Sequence, residues 1–285
     1  MSEPRYGLDD LLTLMAVLRD ADQGCPWDLK QDWDSIVPHT LEEAYEVADA
    51  IERRAYAELP GELGDLLFQV VYYAQFGAEE GRFDFHDVVH ALTAKMLRRH
   101  PHVFPEGSLA SRRPPGVSAE AIEARQVHSR WESLKAEERA ERDARSVLDD
   151  VPRTLPALSR AAKLAKRAAR VGFDWPDETG VIAKIREELA EVEAALAAGD
   201  RDHAAEEVGD LLFAVTNLAR KLKADPERCL CGTNAKFERR FRRVEAALAE
   251  AGRDLADASL DEMEDHWQAA KREEPAAAHS EEGAK

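Results

Sequence analysis

Glu62-Leu63-Gly64-Asp65-Leu66-Leu67-Phe68 recurs 145 positions later as Glu207-Val208-Gly209-Asp210-Leu211-Leu212-Phe213. The acids upstream follow the same offset: Glu42, Glu43 and Glu46 return as Glu187, Glu188 and Glu191. Acidic residues are 57 of 285, so five carboxylates would coincide at a given offset about three times in ten thousand by chance. The matching apolar and glycine positions make this the repeat of a structural unit rather than of a charge pattern. In each copy Glu-Glu-x-x-Glu places its second and third acids three positions apart, on one face of a helix, and Glu-x-x-Asp repeats that geometry on the next helix. A short turn between two such helices makes them antiparallel neighbours, so the chain reads as duplicated helical pairs.

The rest of the chain agrees with an all-α fold of two tandem repeated helical-bundle domains. Hydrophobic residues make up 44%, charged residues 34% and aromatics 7%, with no segment of sustained alternation rich in β-branched residues. The apolar spacing predicts helices over 8–20, from a capping box at Thr40 to before Pro60, over 62–77 and over 85–99. The stripe Leu63, Leu66, Leu67, Val70, Val71 and Ala74 is expected to be buried. A loop is expected at 105–118 and a charged helix at 119–145. The pattern then restarts: a helix at 157–170, a break at Gly172-Phe173-Asp174-Trp175-Pro176 matching the Trp27 region, and helices at 180–198, 203–223, 234–251 and 260–273. The expected division is an amino-terminal helical domain at 1–145, a carboxyl-terminal one at 146–274, and a frayed tail at 275–285.

Net charge is -18 and the pI is near 5.0, which excludes non-specific binding to nucleic-acid polymers or anionic membranes as the main activity. No stretch has the length of apolar residues needed to cross a bilayer, and the amino terminus lacks a signal-like apolar core; a cytoplasmic location is expected. Cys25, Cys229 and Cys231 give an odd count with no metal or redox spacing.

Four carboxylates converging on one groove repel one another unless a cation sits among them or some are protonated. An all-oxygen set, Glu43, Glu46, Glu62 and Asp65 or Glu188, Glu191, Glu207 and Asp210, suits a hard divalent ion, Mg2+ first and Mn2+ second. Each half also carries positive charge for a phosphate ligand: Lys95, Arg98 and Arg99 show the same Lys-x-x-Arg-Arg spacing as Lys236, Arg239 and Arg240. Trp131-x-x-x-Lys135 is echoed by Trp267-x-x-x-Lys271, a flat surface for a base or sugar one helical turn from a point charge. A phosphate-binding P-loop is absent, Ala190-Glu191 breaks the acid spacing of a Nudix box, and His86-Asp87 alone does not make a metal phosphohydrolase.

Glu-Glu-x-x-Glu followed by Glu-x-Gly-Asp, in both copies, resembles the signature of the all-α nucleoside triphosphate pyrophosphohydrolases. Cys25-Pro26-Trp27-Asp28, Arg98-Arg99-His100-Pro101-His102-Val103-Phe104, Val171-Gly172-Phe173-Asp174-Trp175 and Lys236-Phe237-Glu238-Arg239-Arg240-Phe241 narrow the resemblance to its two-domain MazG family, from about residue 8 to 273. The resemblance implies Mg2+-dependent hydrolysis of the α–β phosphoanhydride of (deoxy)nucleoside triphosphates to monophosphate and pyrophosphate. It also implies a homodimer and a role in nucleotide-pool house-cleaning or stress-linked nucleotide control. It maps metal ligands onto Glu188, Glu191, Glu207 and Asp210, with first-half equivalents Glu43, Glu46, Glu62 and Asp65. Nucleotide and phosphate contacts map onto Lys236, Arg240, Trp267 and Lys271, and the carboxyl-terminal repeat is the usual active copy. For the general base, Glu187 and Glu188 both stand. The competing expectation from another class is a regulatory helical dimer that binds metal and nucleotide without turnover.

Overall fold

The computed structural model describes residues 5–113, 131 and 146–273. The helix expected at 119–145, Lys135, the end of the 105–118 loop and the 275–285 tail lie outside those residues. The described residues contain α-helices and short 3-10 turns and no strand. The chain forms two compact units, Met1–Glu138 and Arg139–Lys285.

In the first unit, α1 (Leu8–Leu18) packs on α3 (Leu59–Glu79), which also meets α2 (Trp33–Glu52) and α4 (Phe85–Arg99). The core is Met15, Ile36, Val71, Tyr72 and Phe76, flanked by Leu11, Leu12, Trp33, Phe68, Tyr73 and Phe85. Trp33 stacks on Tyr73 at 5.9 Å and tilts onto Phe76 at 5.5 Å, so the first turn of α2 is anchored on the middle of α3. Between α1 and α2 the Cys25-Pro26-Trp27-Asp28 break is pinned by Arg19. Its guanidinium donates to the carbonyl oxygens of Asp28 and Gln31 and makes paired bonds of 2.8 and 2.7 Å to Glu79. Buried Asp28 accepts a 2.6 Å hydrogen bond from Tyr72 Oη.

α2 begins at Trp33, about two turns before the expected Thr40 start. Asp32 is the cap: its side chain accepts from the amides of Asp34 and Ser35, satisfying donors that have no partner within the helix. Pro38 is the sixth residue of the helix, beyond the first turn, so it forfeits the amide that would have bonded the Asp34 carbonyl. Thr40 is an interior residue that donates to the Ile36 carbonyl and shares a hydrogen bond with Tyr73 Oη.

In the second unit, α5 (Ala157–Arg170) packs on α7 (Arg201–Lys221) and α8 (Pro226–Glu250); α6 (Glu178–Ala197) lies along α7, and α9 (Leu260–Glu273) along α8. Asp177 caps α6 as Asp32 caps α2, and the two helices span identical positions once the offset of 145 is applied. The break before α6 is fixed by opposite wiring. Here the carboxylate belongs to the break, Asp174, and the cations belong to α7, with Arg220 at 2.6 Å and Lys221 at 2.9 Å. A Cβ on Gly180 would stand 2.2 Å from Trp175 Cδ1, so only glycine lets the break seat on α6. The turn from α6 to α7 uses Gly199 at φ 75°, and the same place in the first unit forces Arg54 to φ 60°.

Two further expectations are corrected. α8 starts at Pro226 rather than near 234, because Asp225 caps it through the Arg228 amide and proline fits the first helical position. The stripe expected to be buried on α3 is split. Val71 and Ala74 are buried, but Leu63, Leu67 and Val70 are exposed, and their counterparts Val208, Leu212 and Val215 on α7 are exposed as well. No described helix is long and apolar enough to cross a membrane.

Candidate active site

The helical pairs α2/α3 and α6/α7 put the repeated acids on facing turns. Carboxylate oxygens of Glu43, Glu62 and Asp65 lie within 4.8 Å of one another, as do those of Glu188, Glu207 and Asp210. Glu46 lies close enough to Glu43 and Glu62, and Glu191 to Glu188 and Glu207, for their carboxyl groups to interact. Each predicted quartet is therefore brought together, as three clustered oxygens with a fourth carboxyl alongside.

The electrostatics of the two clusters differ. In the first, burial and then the charges of Asp65 and Glu46 push the Glu43 carboxyl above its ordinary range, and burial followed by Glu46 and Asp65 does the same to Glu62. In the second, the Lys184 ammonium, 2.8 Å from Glu188 Oε1, holds Glu188 below the ordinary range. Glu191 is raised, first by its hydrogen bond to Glu188 and then by burial and Glu207. Lys184 also reaches Glu187 at 2.7 Å, and His203 Nδ1 stands 3.5 Å from Glu207. The position equivalent to Lys184 is His39, which faces Glu42 at 3.6 Å rather than Glu43. Glu187, one candidate for the general base, lies outside the cluster and is exposed, whereas Glu188 is inside it and buried.

The donor set fits a hard divalent cation. Several carboxylate oxygens within a few ångströms, with no thiol or imidazole among the clustered ligands, match Mg2+ or Mn2+ rather than a softer metal. Glu43, Glu62 and Asp65, or Glu188, Glu207 and Asp210, would hold it.

The basic and aromatic residues also come together. On α8, Lys236 and Arg240 are half-buried and Arg239 is exposed. The Arg240 guanidinium lies 5.7 Å from the Trp267 ring, and Phe237 adds a second ring 5.1 Å from Trp267 and stacks on Phe241. Lys271, on the same helix as Trp267, is exposed. In the first unit Arg99 lies 5.7 Å from the Trp131 ring, which His100 meets edge-on at 4.7 Å; Lys95 is half-buried and Arg98 exposed on the same helix. An arginine thus lies over each tryptophan, while Lys135 falls outside the described residues. Asp87 of the His86-Asp87 pair closes the capping box of α4 with Asp84, a structural task.

Two residues of this region escape a reading by motif: Lys184 and His203. Lys184 stands four positions before Glu188, a spacing shared with ordinary surface ion pairs. The signal for it was available only by comparing the copies, since the offset pairs it with His39.

Comparison with known proteins places these features in context. The MazG nucleotide pyrophosphohydrolase domain matches twice, over residues 31–104 and 177–244. A nucleoside triphosphate pyrophosphohydrolase of Escherichia coli (strain K12) is 51% identical over 269 residues, covering 94% of this chain and 98% of that protein. A nucleoside triphosphate pyrophosphohydrolase/pyrophosphatase MazG of Thermotoga maritima is 37% identical over 271 residues, covering 95% of this chain and 98% of its own length.

Proposed function

Since this chain belongs to the MazG nucleotide pyrophosphohydrolase family, we propose that it hydrolyses the α–β phosphoanhydride of (deoxy)nucleoside triphosphates, releasing nucleoside monophosphate and pyrophosphate with Mg2+. The observation that carries this reading is the convergence of Glu188, Glu207 and Asp210 on one point, in a unit where Arg240 also lies against Trp267. The second unit is the active copy.

Bound at the cluster, a divalent ion supplies neutralisation of phosphate charge and a more acidic water. The protein's residues do the rest. Trp267 and Phe237 offer ring faces to the base, and Lys236 and Arg240 hold the outer phosphates. Glu187, outside the clustered ligands, takes the proton of the attacking water. The water oxygen bonds to the α-phosphorus, the bond to the bridging oxygen breaks, and pyrophosphate leaves with the electron pair against Lys236 and Arg240.

A homodimer is the assembly this reading requires. It is supported by the duplicated exposed stripe: Leu63, Leu67 and Val70 on α3 and Val208, Leu212 and Val215 on α7 are apolar surfaces on the very helices that carry ligands. Removal of spoiled or stress-related triphosphates from the nucleotide pool is the role that suits such chemistry.

The test is phosphorus NMR of the products in 18O-labelled water with Mg2+. Monophosphate carrying the label together with unlabelled pyrophosphate is expected. Inorganic phosphate with diphosphate would reject the bond assignment, and label in pyrophosphate would reject attack at the α-phosphorus.

A further inference from the structure

The two carboxylate clusters are alike in ligands and unlike in counter-charge. Lys184 Nζ sits 2.8 Å from Glu188 and 2.7 Å from Glu187, and Glu188 is nearly closed off, with 7% of its side chain exposed. In the first cluster the equivalent His39 turns to Glu42, and among the described residues no cation pairs with Glu43. A second difference is more remote from the buried ligand: His203 stands 3.5 Å from Glu207. Glu58 stands where the second unit has His203, but Glu58 is bonded by Arg53 at 2.8 Å. Among the described residues, the contrast at the buried ligand itself is one ammonium, fixed on Glu188 of the second cluster.

We propose, on the reading of both clusters as divalent-ion sites, that Lys184 makes the second cluster take its ion together with a triphosphate, while the first cluster binds the bare ion. A bare divalent cation is repelled by the ammonium. An ion already complexed to a triphosphate carries net negative charge and is attracted by it. The same side chain thus changes sign in its effect according to the form in which the ion arrives. One unit charge about 6 Å from a divalent ion in a water-like dielectric changes its affinity roughly tenfold before salt screening.

The experiment is Mn2+ binding by electron paramagnetic resonance on the full chain. Glu62→Gln with Asp65→Asn removes the first cluster, so that the second is read alone. In that background Lys184→Met is expected to strengthen bare Mn2+ binding roughly tenfold. It is also expected to weaken binding of the Mn2+ complex of a nucleoside triphosphate with a methylene bridge between its α- and β-phosphorus. Lys184→Arg, which keeps the charge and guards against a folding defect, should leave both affinities near the parent's. In the otherwise native chain, His39→Lys should weaken the tighter of two Mn2+ classes. Shifts of the same direction for bare and complexed Mn2+, or no shift in either, would overturn the role of Lys184. Failure of Mn2+ to bind at either cluster would instead remove the ion-site reading, and the proposal with it.

Discussion

Replacing Arg19 by methionine tests how the first unit holds its ligand-bearing helix in place. The guanidinium is nearly buried and joins three segments: its own helix, the Asp28–Gln31 stretch and Glu79 at the end of α3. Gln31 precedes the Asp32 cap, so the clamp fixes the point from which α2 departs toward Glu43 and Glu46. Glu79 has a side-chain exposure of 36%, and its paired contact is worth about 1 kcal/mol after solvent screening. The bonds to two backbone carbonyls add about 1 kcal/mol each. The position 4.4 Å from the Phe76 ring adds about 0.5 kcal/mol. Methionine retains much of the apolar stem, so the loss should be about 3 kcal/mol. Hydrogen exchange of amides in 8–18 and 59–79 should accelerate by roughly a hundredfold, with 201–221 as the internal reference. Arg19→Lys, which keeps a charge but not the fork, should lose about half as much. Acceleration below about fivefold in the methionine variant would refute the assignment of Arg19 as the clamp.

Glu207→Gln or Asp210→Asn should abolish most turnover, while Glu62→Gln and Asp65→Asn have smaller effects; pyrophosphate release measures this, and equal losses would mean that both units turn over substrate. Nucleotide binding should quench tryptophan fluorescence through Trp267, so Trp267→Phe should remove most of the quenching; unchanged quenching would exclude contact with the base. Glu79 is held below its ordinary carboxylate value of 4.5, chiefly by its hydrogen bond from Arg19. A depressed acid contributes stability that is present above that value and is lost as pH falls through its folded value. Circular dichroism between about pH 5 and 2 should therefore show a shallower acid-induced loss for Glu79→Gln than for the native chain.

Much of the architecture was legible because duplication writes the same instruction twice. The acids, the helical pairing and the restart after residue 152 all follow from the offset. The start of α2 did not, since Pro38 and the Thr40-to-Glu43 pattern imitate a boundary. The offset itself held the answer: a helix read from about 180 in the second copy requires one from about 35 in the first, and the capped helices coincide at 33–52 and 178–197. At α8 the Asp225-Pro226 start signal was masked by Gly232 and Thr233, which interrupt the apolar pattern. The exposed half of the α3 stripe was illegible for another reason. Periodicity identifies an apolar face but not what covers it, and Leu63, Leu67 and Val70 stay exposed among the described residues. Lys184 was hidden among ordinary lysine–glutamate spacings, since only the fold reveals that its partner Glu188 is buried.

The opposite wiring of the two breaks limits how far the copies remain exchangeable parts. A graft of residues 171–177 in place of 26–32 would bring Asp174 to a helix that carries Gln75 and Phe76 where α7 carries Arg220 and Lys221. It would also strip Tyr72 of the Asp28 acceptor. Each copy has come to own a private lock and key, so that transplanting one without the other leaves a charge stranded.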